Sequence, residues 1–190
     1  MKQEQLLLLN FILRSYHHFN ASALKRATID YHNHIKKGGK MYFAIAGAMS
    51  SARLGIYLAP AIRSDLIHGL SVTGANLEES LFRLIAHTHY QNFPDYRYFS
   101  KEDDEKILNN RMRRVTDTTI PEDEAFRKVE KIIIPIWKRA QEKGERKFWH
   151  EYFYELILSP ELEQYFEGDK EECWLLAAAK KNLPIMVGGH

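Results

Sequence analysis

Apolar positions along the chain change their period several times, and the changes divide it into elements. Over residues 3–18 they crowd nearly all round a helical wheel, and the run LLLLNFIL (Leu6 to Leu13) is broken only by Asn10. A second helical pattern covers 20–36 and stops at KKGGK, 36–40, where two glycines end it. MYFAIAG, 41–47, is a compact apolar run, right for a buried strand and too short for a helix. AMSSARLGIYLAPAIRSD then reads as a helix, with Ser50 or Ser51 near its start and Pro60 set to kink or split it. HGLSVT, 68–73, is a second strand, and NLEESLFRLIAH, 76–87, a second helix. This β-α-β-α order predicts an α/β fold with a parallel sheet flanked by helices.

Beyond it, 91–110 is polar and aromatic, an excursion from the sheet. RMRRVTDTTIP, 111–121, returns with β-branched residues and stops at Pro121. Residues 122–143 are predicted helical, with acids in the first turn where the helix dipole favours them. Two more helices are predicted at 147–158 and 171–181, and LPIMV, 183–187, reads as another buried strand, followed at once by GGH. A sheet that stops on a buried strand reads as incomplete at its C-terminus and leaves an edge in need of a partner.

Composition narrows the function classes. With 27 basic and 25 acidic residues the net charge is +2, and no basic stripe interleaved with aromatics points to nucleic acid. One cysteine, Cys173, excludes an intrachain disulfide, and with no signal peptide a reducing cytoplasm is the default. The N-terminal apolar run is shorter than the roughly 20 residues of a membrane span, so it reads as a buried or interface helix face.

Candidate chemistry gathers at two strand-to-helix turns, AGAMSSA (46–52) and TGANLEE (73–79). Gly47 and Gly74 allow a tight turn and close approach of a ligand. Amides at helix N-termini bind anions, and Ser50, Ser51 and Thr73 add hydroxyls at the same sheet edge. Two such turns on neighbouring strands suit a dinucleotide, although the G-x-G-x-x-G fingerprint is absent and ordinary caps would look the same. Glu78 and Glu79 fall in the first turn of the predicted helix. There they either complement its dipole, worth about 0.3–1 kcal/mol each, or present a carboxylate to a cationic ligand such as an amine.

The paired histidines (His17/His18, His32/His34, His87/His89) lie on predicted helices, where positions i and i+2 diverge, so no metal site is expected. WHEYFYE has Tyr154 where the zincin motif needs a second histidine. Cys173, in an apolar helical stretch, reads as a buried, inert thiol. Neither a G-x-S-x-G elbow nor a P-loop is present.

At these turns the sequence resembles the deoxyhypusine synthase family. The resemblance runs through AIAGAMSSARLGIYLAPAIRSDLIHGLSVTGANLEESLFRLIAHTHY, NRMRRVTDTTIPEDE and CWLLAAAKKNLPIMV, in the right order over about residues 38–187. AGAMS, TGANLEE and AHTHY resemble the bacterial deoxyhypusine-synthase-like branch, which shades into homospermidine synthases. The resemblance implies a Rossmann-like domain whose N-terminal part is residues 38–190, preceded by a helical extension, 1–37, and assembled as a homotetramer. It also implies a reaction. NAD oxidises spermidine, and the aminobutyl group passes to an enzyme lysine as an imine. It then goes to a lysine of a translation initiation factor or to putrescine.

By the same resemblance Ser51, Thr73, Gly74 and Glu79 contact NAD, Glu79 also faces the polyamine, and Asp117 lies in a segment used near the ligands. Where some relatives carry Ser-Asn in the first turn, this chain has Gly47 and Ala48. The imine-forming lysine near the family's Trp-Gly-Lys motif has no counterpart: Lys180 and Lys181 precede the last strand and do not match it. No catalytic residue is therefore assigned. Two expectations follow: one half of a transferase completed by another chain or segment, or a non-catalytic, truncated or regulatory partner of a full-length paralogue.

Overall fold

The structure, a computed structural model, describes residues 3–188. The chain divides into two compact units, Met1–Met41 and Tyr42–His190. The first holds α1 (Gln3–Ser15) and α2 (Phe19–Lys36). Leu7, Leu8 and Phe11 on α1 are exposed, and α2 buries none of its residues. His17 and His18 fall between the two helices rather than on one. Gly38, with φ +82°, turns the chain out of α2 in a conformation that side chains resist.

In the second unit β1 (Tyr42–Ile45) leads through a long turn to α3 (Gly55–Arg63). This helix starts well after the predicted Ser50 or Ser51 and runs through Pro60 without splitting. Then come β2 (Gly69–Thr73) and α4 (Gly74–Ile85), and His87–His89 forms a separate 3₁₀ turn. The polar excursion contains β3 (Gln91–Asn92) and α5 (Lys101–Asn109). The β-branched stretch is a hairpin, β4 (Met112–Val115) and β5 (Thr118–Pro121), and with β3 it forms a separate antiparallel sheet in the order β3-β5-β4. One wide π turn, Glu122–Arg127, opens α6 (Lys128–Glu142). Buried Glu122 holds it to the hairpin through Arg127 (2.7 Å) and Arg113 (2.5 Å). The chain continues through α7 (Trp149–Ile157), α8 (Pro160–Glu163), α9 (Trp174–Lys180) and β6 (Ile185–Gly188). Gly189 and His190 of the GGH end lie outside the described residues.

The main sheet is parallel in the order β1-β2-β6. Register places Phe43, Leu70 and Ile185 in one row, and Ile45, Val72 and Val187 in the next. That face packs on the core with residues of α3, α4, α7 and α9. The sequence reason is the even spacing of apolar residues, which turns them all to one side of a pleated strand. The opposite face carries Tyr42 and Met186, both exposed. The parallel sheet flanked by helices is the α/β architecture that the β-α-β-α reading predicts, and it is consistent with the Rossmann-like fold that the family resemblance implies. Among the described residues no helix is long and apolar enough to cross a membrane.

Candidate functional site

Parallel strands align their carboxyl ends, and in open α/β sheets that edge is where ligands bind. Here it is formed by the turn after β1, the β2–α4 junction and the end of β6, with Thr73 in register with Gly188. Gly47 has φ +60° and open space where a Cβ would stand. Gly188 is likewise open.

Thr73 starts α4. Its Oγ1 accepts from the Asn76 amide at 3.3 Å, capping the helix, and donates to the Gly47 carbonyl at 3.2 Å. The cap sets the helix start at Gly74, two residues earlier than the sequence reading. Glu78 and Glu79 therefore lie in the second turn, and no acid occupies the first. This corrects the dipole account of the pair, because that effect fades beyond the first turn.

Asn76, 1% exposed, fastens the two turns together. Its Nδ2 donates to the Gly47 carbonyl (2.6 Å) and to Thr73 Oγ1 (3.0 Å), while its Oδ1 accepts from the Ser50 amide at 2.9 Å. Ser50 Oγ donates to the Asn76 carbonyl at 2.7 Å and accepts from Trp174 Nε1 at 3.2 Å. Every polar group of this buried knot has a partner, so the turns are held in shape before any ligand arrives.

Ser51 lies beside the knot and donates from Oγ to Glu79 Oε2. Glu79 is 4% exposed, and its Oε1 is buried with no hydrogen-bond partner. Burial pushes its pKa up, against the pull of the Ser51 hydrogen bond and the Arg83 charge. One turn further on, Arg83 is half-buried, with its guanidinium carbon 3.7 Å from the centre of the Tyr90 ring. Arg83 Nε and the Tyr90 hydroxyl are also buried without partners.

The four residues singled out in the sequence thus occupy one edge: Ser51 touches Glu79, and Thr73 and Gly74 open the adjoining helix. Asp117 does not join them. It sits in the β4–β5 turn of the second sheet, where its carboxylate accepts from Thr118 at 3.2 Å. Lys181 pairs with Asp65 at 2.5 Å. Asp65 precedes β2 and Lys181 precedes β6, so this pair marks the amino-terminal ends of the strands, opposite the site. Cys173 is buried against Ser80, and burial raises its pKa. The described residues contain no cluster of three or more possible metal ligands.

Asn76, Arg83, Tyr90 and Trp174 were not identified from sequence. A threonine cap followed three residues later by asparagine, and an arginine four residues after Glu79, were readable signals. Tyr90 comes back onto Arg83 only through the turn at His87–His89, and Trp174 reaches Ser50 from the far end of the chain, so neither contact left a local signal.

An extended anionic cofactor such as NAD fits this edge. Glycines leave room at Gly47 and Gly188, and the first turn of α4 directs amides to the same side. The family model of deoxyhypusine synthase matches residues 12–190. No curated protein matches the chain.

Proposed function

Since the chain belongs to the deoxyhypusine synthase family, we propose that it binds NAD across the two turns and a polyamine at Glu79, within an aminobutyl transferase. Gly47, Ser51, Thr73 and Gly74 would hold the cofactor, which supplies a hydride acceptor when bound. Asn76 and Ser50 keep that cradle in shape. Glu79 receives a cationic amine and orients it against the cofactor edge. The acceptor is a lysine of a translation initiation factor or a second amine such as putrescine.

The observation that carries this reading is the buried, half-satisfied Glu79 carboxylate next to the turns. A carboxylate with one oxygen unpaired in a buried place is costly, and a bound ammonium removes the cost. A phosphate would be repelled there, so the charge belongs with the amine end of the substrate pair. The imine-forming lysine is not assigned. Lys180, at the end of α9, and Lys181 belong to the wrong edge of the sheet. A second reading, a non-catalytic subunit lending this half-site to another chain, draws on the exposed Tyr42 and Met186 on the outer face of the main sheet.

Calorimetry with spermidine and with NAD tests the proposal on the protein as purified, with any copurifying chain. Glu79→Gln should weaken spermidine binding by about tenfold or more, the scale of a lost hydrogen bond to a charged group, with NAD binding kept within about twofold. Unchanged spermidine affinity would sink the assignment.

A further inference from the structure

Glu79 and Arg83 are four residues apart on α4, the spacing at which opposite charges on a helix usually pair. Here they do not. Glu79 Oε1 and Arg83 Nε are both buried, and neither has a hydrogen-bond partner. The reason lies just past the end of the helix: the guanidinium lies on the Tyr90 ring, 3.7 Å from its centre. Guanidinium stacking on an aromatic face is favourable, and more so away from water. A free arginine would fork onto the carboxylate through two bonds and use both oxygens.

We propose that Arg83 and Tyr90 are positioning residues for the Glu79 carboxylate: Tyr90 holds Arg83 back from it, so that the arginine's charge stays nearby while Oε1 is left for a ligand ammonium. This rests on Glu79 being the polyamine receptor. The charge balance around the group supports it. Burial drives Glu79 toward its neutral form, and Arg83 opposes this along with the Ser51 hydrogen bond. From the turn after β1 and the 3₁₀ turn before α9, Arg53 and Glu172 also act on Arg83. They pair with each other at 2.5 Å, so their fields largely cancel. The Tyr90 hydroxyl has no partner of its own, so the ring does the holding.

The test is spermidine calorimetry between pH 5.5 and 8.5 on the wild type, Tyr90→Phe, Tyr90→Leu, Arg83→Gln, Arg83→Lys and the Tyr90→Leu/Arg83→Gln double variant, each checked for its thermal transition. Tyr90→Phe keeps the ring and should bind as the wild type does. Tyr90→Leu frees Arg83 to cap Glu79, and affinity should fall about tenfold at every pH. Arg83→Gln should keep its affinity at pH 8.5 and lose about threefold or more at pH 5.5, because Glu79 protonates at higher pH once its cationic neighbour is gone. Arg83→Lys should recover most of that loss. In the Arg83→Gln background the Tyr90→Leu change should have no further effect, since there is no arginine left to hold. An equal loss from Tyr90→Leu in both backgrounds, or an acid limb unmoved in Arg83→Gln, overturns the inference while the Glu79 reading stands. Wild-type protein that does not bind spermidine, or Glu79→Gln protein that binds as tightly as wild type, overturns both.

Discussion

Asn76→Ala is the substitution whose cost follows most directly from the geometry. The side chain makes three close bonds, to the Gly47 carbonyl (2.6 Å), Thr73 Oγ1 (3.0 Å) and the Ser50 amide (2.9 Å), and a long fourth to the Ile45 carbonyl at 3.5 Å that adds little. At about 1 kcal/mol net for each bond, their loss alone comes to about 3 kcal/mol. Two corrections pull in opposite directions. Gly47 is exposed and its carbonyl can turn to water, which lowers the cost. Ser50 is 5% exposed, so its amide would be buried without an acceptor, which raises it. The bond from Ser50 Oγ to the Asn76 backbone carbonyl survives, as does the Thr73 cap on the Asn76 amide. The expected loss therefore remains about 3 kcal/mol, or roughly 6–12 °C in melting temperature for a chain of this size.

Urea unfolding followed by far-ultraviolet circular dichroism measures it, with Asn109→Ala on the exposed α5 surface as a control within about 0.5 kcal/mol of wild type. NAD affinity of Asn76→Ala should fall in parallel, because the turn around Gly47 loses the side chain that shapes it. A loss below about 1 kcal/mol with an unchanged denaturant slope would show that the knot contributes little, and the argument for a preformed cofactor edge would fail with it.

Two further substitutions probe the same region. Burial raises the Glu79 pKa above its ordinary 4.5. The stabilisation this gives the protonated form is therefore complete below 4.5 and is lost as pH rises through the folded value. Glu79→Gln should remove that slope and become progressively more stable than wild type from pH 4 towards pH 8, the sense of a stability–function trade-off, whereas parallel stability–pH curves would contradict it. Gly168 sits against the α4 backbone, where an added Cβ would stand 2.7 Å from the Arg83 carbonyl oxygen, and its amide donates to Leu84 at 2.9 Å. Gly168→Ala should cost about 1–3 kcal/mol in a urea titration, and wild-type stability would show that the 166–173 loop can back away freely.

The order of elements and the position of the site edge were legible in the sequence. Period-2 apolar runs at Phe43/Ile45 and Leu70/Val72, a helical period after each, and glycine with hydroxyl residues at the joints are local signals, and local physics reads them the same way in any context. The helix starts were less secure. Thr73 took the cap and moved Glu78 and Glu79 into the second turn, and the turn over 46–54 displaced the start of α3 to Gly55. Several backbones satisfy the same cap chemistry, and packing chooses among them.

What the sequence determined by itself was the parallel α/β class, the two turns and the presence of a carboxylate beside them. Only the tertiary structure decided what that carboxylate is. Ser51 reaches it from another turn, and Tyr90 draws Arg83 away from it. The fold also buries it to 4% exposure and leaves one of its oxygens unpaired. Protonation state and pairing depend on burial and on the distances at which turns bring separate segments together, and no local pattern of residue types encodes those distances.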